Sequence, residues 1–166
     1  MLRGIRMAAI VAMILTGALA MPAANAAPEV VRIADPAVHT FATASTADQF
    51  VRMQPSQSGL LQNWRLDRSS TTASTKVVNV ATMGCLTISP LGPIYEGAPL
   101  AQLPCRGTTL ELWRIVADSS TATVQFVHVS TGWCMTIEAF SPGQYPLLRL
   151  YQCSQTLPQR FVLVNG

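Results

Sequence analysis

The chain has 166 residues, 11% of them charged and 49% hydrophobic, with 11 basic against 8 acidic side chains and a formal net charge of +3. That balance excludes a disordered polyelectrolyte, and the length fits one domain with a core of ordinary size. There is no basic run and no arginine stripe interleaved with aromatics, so nucleic acid is excluded as the expected partner.

The first element is a leader. Arg3 and Arg6 precede an uncharged apolar run, Met7 to Met21, and Ala24-Asn25-Ala26 forms a small-x-small cleavage site. The run of 15 residues is shorter than the ~18 to 20 needed to cross a bilayer. Residues 1–26 therefore read as a secretory signal peptide, cut after Ala26. The expected mature chain, Ala27 to Gly166, has no membrane span and is secreted, either extracellular or periplasmic. Arg3 and Arg6 leave with the leader, so the mature chain carries 9 basic against 8 acidic residues. All four cysteines lie in it, and an even number in an exported chain reads as disulfides.

The mature chain repeats itself three times. Val77 to Ile88 aligns with Phe126 to Ile137 at a shift of 49, with Val78/Val127, Val80/Val129, Thr82/Thr131, Cys85/Cys134, Thr87/Thr136 and Ile88/Ile137 identical. Leu100 to Trp113 aligns with Leu148 to Phe161 at a shift of 48, with Leu100/Leu148, Cys105/Cys153 and Thr108/Thr156 identical. Val51 to Trp64 forms an earlier copy at a shift of 97 from the last, with Ser56 in the cysteine position. Its start falls somewhere in Val30 to Thr46. The repeats span about 30–68, 69–116 and 117–166.

Each unit reads as β structure. Lys76 to Val80 and Thr123 to Val129 are rich in β-branched or aromatic residues and follow Ser/Thr-rich turns. Pro90, Pro93, Pro99, Pro104, Pro142, Pro146 and Pro158 break any longer helix. Three equal all-β units are too few for a propeller and too long for most β-helix coils. A closed threefold barrel disposes of their edges.

These residues resemble the ricin B-type β-trefoil lectins, whose signature is a Gln-x-Trp closing each of three repeats. The matching triplets here are Gln62-Asn63-Trp64, Glu111-Leu112-Trp113 and Gln159-Arg160-Phe161. Gly84-Cys85-Leu86 with Cys105, and Trp133-Cys134-Met135 with Cys153, match the family's cysteine pattern. The stretch from Gly97 to Cys105 looks like the segment before its second cysteine. The resemblance implies a single all-β trefoil over residues 27–166. It places Trp64, Trp113 and Phe161 in the core near the pseudo-threefold axis. Together with the repeat symmetry it pairs Cys85 with Cys105 and Cys134 with Cys153.

A family sugar site has a carboxylate two residues after the first cysteine. A Gln and an aromatic lie four and two residues before the second, and an Asn precedes the closing triplet. In the second copy these positions hold Thr87, Ala101, Leu103 and Leu110, and all four roles are lost. In the first copy the later positions are Arg52, Gln54 and Leu61. In the third they are Thr136, Arg149, Tyr151 and Pro158, so one aromatic survives. The carbohydrate-binding candidates are therefore Thr136, Arg149 and Tyr151, with Glu138 replacing the missing carboxylate and Trp133 beside them. The implied function is a secreted lectin-like binding module for a glycan or cell-surface glycoconjugate. Degenerate pockets also occur in the delivery subunits of cytolethal distending toxins, which the chain resembles in this respect. The alternative is thus a toxin-like accessory subunit or inhibitor that binds a protein partner, with Phe41, Phe50, Tyr95, Trp133, Phe140 and Tyr145 as a candidate patch.

No catalytic residue, metal site or cofactor is expected. The imidazoles are His39 and His128, and no nucleophile motif, phosphate loop or Cys-x-x-Cys accompanies them. His128 alternates with Val127 and Val129, which would turn it outward.

Overall fold

The computed structural model describes residues 29–89, 92–138 and 142–166. The leader and Phe140 lie outside the described residues. Twelve strands run in chain order: β1 Glu29–Ala34, β2 Phe41–Thr43, β3 Arg52–Gln54, β4 Trp64–Arg68, β5 Thr75–Asn79, β6 Gly84–Ile88, β7 Leu100–Pro104, β8 Leu112–Asp118, β9 Thr123–His128, β10 Cys134–Ile137, β11 Leu148–Tyr151 and β12 Val162–Asn165. Each group of four is one repeat. A single 3₁₀ turn precedes its last strand, at Leu60–Gln62, Thr109–Glu111 and Leu157–Gln159.

Six strands make the barrel. β1 pairs β4, β4 pairs β5, β5 pairs β8 and β8 pairs β9, all antiparallel. A bridge from Val124 to Phe161 links β9 to the chain entering β12, and β12 pairs back onto β1 through Val31 to Ala34. Closure leaves the barrel no free edge to recruit another strand. The hairpins β2–β3, β6–β7 and β10–β11 close one end. They join each other in a ring, in which Val51 N–H donates to Leu100 O at 3.1 Å, Leu150 N–H to Ala98 O at 2.9 Å and Met53 N–H to Pro146 O at 2.8 Å. This is an all-β trefoil.

The closing aromatics fill the barrel. Trp64, Trp113 and Phe161 are all fully buried. Each indole N–H finds a carbonyl in its own hairpin, Trp64 on Ala42 O at 2.8 Å and Trp113 on Leu86 O at 2.9 Å. That satisfies the one polar atom of a large apolar ring. Phe161 has no such donor and meets Phe126 edge to face at 5.9 Å between centroids. Disulfides Cys85–Cys105 and Cys134–Cys153 staple the second and third hairpins across 20 and 19 residues. Closing each loop contributes about 3 kcal/mol in the chain-entropy model.

The Gln of the closing triplet has a separate task. Gln62 Nε2 donates to Pro55 O and Thr43 Oγ1, at 2.8 and 3.0 Å, and its Oε1 accepts the Gln57 N–H. Gln159 repeats this on Gln152 O and Thr136 Oγ1, at 2.8 and 3.0 Å, and accepts the Ser154 N–H. Glu111 has no proton to donate. It accepts the Arg106 and Gly107 N–H groups instead, and Thr87 turns its hydroxyl to Leu110 O at 2.8 Å.

Candidate functional site

Strand alternation sorts the third hairpin into two faces. Met135 pairs Leu150 and Ile137 pairs Leu148, and these side chains pack inward. Thr136 pairs Arg149 and Cys134 pairs Tyr151 on the outer face, and Glu138 follows in the same phase. Four of the five residues expected at the site are thus brought to one face. Trp133 falls in the opposite phase, where it is half-buried and packs against the core.

Arg149 Nε lies 2.7 Å from Glu138 Oε1, a close ion pair without the angle of a hydrogen bond at Nε. Arg149 Nη1 donates to Gly97 O at 2.8 Å. The arginine is therefore committed at both ends and holds Glu138 in place. Tyr151 reaches in the same direction. A Cβ on Gly97 would come within 3.2 Å of its hydroxyl, and the Gly97 backbone is left-handed, with φ of +89°. Gly97 N–H donates to Leu150 O at 2.6 Å. The third hairpin therefore clasps a turn of the second repeat through Arg149 and Tyr151. No local pattern in the sequence announces this contact, because it joins residues about fifty positions apart.

Thr136 is also committed. It accepts from Gln159 Nε2 and donates to Cys134 O at 3.0 Å. The free acceptor capacity on this face belongs to Glu138.

His128 does not point outward as its alternation with Val127 and Val129 suggests. It is fully buried at the end of β9, edge-on to Trp113 at 5.2 Å between centroids. Its ring nitrogens are 3.0 Å from Thr131 Oγ1 and 3.2 Å from Leu110 O. The equivalent Asn79 donates Nδ2 to Leu61 O at 2.9 Å, and its Oδ1 accepts the Thr82 hydroxyl. The same roles assign the proton to Nε2 of His128 and leave Nδ1 as acceptor. Burial holds this imidazole below its ordinary pKa, so it stays neutral and structural. Of the aromatics considered as a patch, Tyr95 and Tyr145 are exposed. Phe41 and Phe50 are half-buried, and Arg32 lies 3.7 Å above the Phe41 ring. Among the described residues no group of three His, Cys, Asp or Glu side chains forms a metal cluster. No helix there is long and apolar enough to cross a membrane.

A family model described as a ricin-type beta-trefoil lectin domain-like domain matches residues 60–151, more than half of the chain. The chain belongs to the ricin-type β-trefoil lectin-like family. None of the curated proteins matches its sequence. Solved structures share the fold at low identity. A designed threefold-symmetric protein, ThreeFoil, has a TM-score of 0.73 at 20% identity, over 82% of this chain and 99% of that one. A chain of the cytolethal distending toxin of Actinobacillus actinomycetemcomitans has 0.68 at 17%, over 83% and 92%. A ricin B-like lectin of Macrolepiota procera, solved in complex with lactose, has 0.70 at 15%, over 84% and 96%.

Against the ricin-type pattern, the position of the sugar carboxylate is threonine in every repeat. Thr43, Thr87 and Thr136 all spend their hydroxyls on internal hydrogen bonds. In this member of the family that position has become part of the scaffold.

Proposed function

We propose that the protein is an exported, non-catalytic carbohydrate-recognition module that reads glycans on the outer face of β10–β11. One observation carries the reading. Glu138 is a carboxylate held by Arg149 on the same outer face as the half-buried Tyr151, with the Thr136–Arg149 row between them, on a hairpin of a lectin-like trefoil. A fixed carboxylate accepts hydrogen bonds from sugar hydroxyls, and a tyrosine ring covers the apolar face of a pyranose. Arg149 positions the acid, paired with Glu138 through Nε and tied to Gly97 O through Nη1. Thr136 sets the floor of the face.

Purified, oxidised protein screened on a glycan array tests this, with Tyr151→Ala and Glu138→Gln alongside. We expect specific binding that falls at least tenfold in both variants. Affinity that survives both substitutions would refute the site.

A second reading is favoured by the three internal threonines, which leave no family carboxylate free. It is an accessory subunit or inhibitor that acts through protein contacts. A folded sample that binds no glycan but captures a co-secreted protein would support it.

A further inference from the structure

The three repeats meet at equivalent joints, and one joint is open. In one, Asn79 donates to Leu61 O, and in another His128 donates to Leu110 O. Leu61 and Leu110 are the middle residues of their 3₁₀ turns, and Pro158 holds that place in the third turn. The facing position is Asp35. Asn79 pairs Trp64 and His128 pairs Trp113, while the β1–β12 register sets Ala34 opposite Val162 and so Asp35 opposite Phe161. The residue four further on has a left-handed backbone each time, at His39, Met83 and Gly132, with φ of 54°, 57° and 73°. Asp35 Oδ1 accepts the Ala37 N–H at 2.7 Å, as Asn79 Oδ1 accepts the Ala81 N–H at 3.1 Å.

A carboxylate has no proton to give a carbonyl. Where Asn79 and His128 close their joints, Asp35 leaves a recess. A cavity of about 280 Å³ lies between Asp35, Glu138, Leu157 and Pro158. It shares Asp35, Ile137 and Glu138 with a neighbour of about 450 Å³ that runs past Met53 to Val38 and Tyr145. Such a volume suits a small ligand. No lining residue of either cavity is basic. Glu138 is already balanced by Arg149, which leaves the Asp35 charge uncompensated there. The rim is apolar and open, with Val38 65%, Leu157 66% and Tyr145 48% exposed. Clustered exposed apolar side chains around a recess mark an interaction site.

We propose that this recess binds an aliphatic amine, with the cationic head on Asp35 and the apolar stem along Val38 and Tyr145. The charge pairs with the one unbalanced carboxylate, and the stem covers the rim as lysine stems cover apolar surface. The recess shares Glu138 with the proposed glycan face, but its anchor differs, because the amine is held by Asp35 at the joint between the first and third repeats and not by Tyr151.

The test titrates n-hexylammonium, hexanol and hexanoate into the full oxidised protein, followed by amide chemical shifts. Hexylammonium should bind at least tenfold tighter than hexanol, lose affinity with added salt, and shift residues around Asp35. Hexanoate should bind weakest. In Asp35→Asn the amine should fall to the level of hexanol. That variant should fold at least as well, because Asn at the equivalent position 79 already closes its joint. Equal binding of amine and alcohol, amine binding unchanged in Asp35→Asn, or no binding of any probe would each overturn the proposal. Nα-acetyl-lysine N-methylamide separates the sources. Tighter binding than hexylammonium assigns the recess to a lysine of a polypeptide, and weaker binding assigns it to a free amine.

Discussion

The second and third hairpins share a backbone and differ in dress. Both carry a disulfide, and the first residue of each pair is fully buried. Both fill their inner face with apolar side chains. On the outer face, Thr87, Ser89 and Ala101 are buried. The third hairpin sets Thr136, Glu138 and Arg149 at the same places, all partly exposed, and Tyr151 beyond them. The interior is fixed by packing, where a change of one methylene is felt. The outer face is free to diverge, and recognition chemistry can be rebuilt there without disturbing the barrel.

That contrast can be tested, from the strongest effect down. Trp113→Ala removes a fully buried ring and its hydrogen bond to Leu86 O, and should cost about 3 to 5 kcal/mol in denaturant unfolding. A cost below about 1 kcal/mol would mean that the interior tolerates what the outer face tolerates. Removing Cys134 and Cys153 together should cost about 3 kcal/mol, as should removing Cys85 and Cys105, since the loops are nearly equal. Thermal denaturation of both double variants checks this, and a gap of 2 kcal/mol or more would break the equivalence. Gly97→Ala should cost about 1 to 3 kcal/mol through its left-handed backbone, with a further contribution from crowding Tyr151. Part of the loss should vanish in a Tyr151→Ala background, and a purely additive cycle would deny the clasp between the repeats.

The smallest effect is on pH dependence. His128 is neutral when folded, while its unfolded pKa is near 6.5. Below pH 6.5 the unfolded state takes up a proton that the folded state refuses. Stability then falls by up to about 1.4 kcal/mol per unit until the lower folded pKa is passed. His128→Asn copies position 79 and should flatten that part of the melting-temperature profile. Parallel profiles for the two proteins would show that the imidazole does not titrate on unfolding.

The barrel was legible in the sequence because its interior repeats. Trp64, Trp113 and Phe161 stand at spacings of 49 and 48, and the apolar partners of each hairpin recur with them. The outer face was legible only as a set of candidates. That Arg149 and Glu138 form a pair, and that Arg149 and Tyr151 both reach to Gly97, depends on how hairpins of different repeats meet. His128 was misjudged because Val127 and Val129 suggest the wrong inward phase: the face of β9 turned to the core is Val124, Phe126 and His128, and Val129 is exposed. Asp35 was missed because the first copy lacks cysteines and its start has little identity with the others. Only the register of β1 on β12 reveals it as the counterpart of Asn79 and His128.

The pairing of β1 with β12 also governs when the molecule can form. Gly166 N–H donates to Val30 O at 3.3 Å, so the two ends of the trefoil are hydrogen-bonded to each other. The barrel is sealed only once β12 is present to pair β1. During synthesis every nascent intermediate keeps β1 unpaired on that side, and the step that completes the sheet has nearly the greatest sequence separation the domain allows. Such closure is slow by topology. It makes closure of the barrel wait on the last strand of the trefoil, whatever has folded before it.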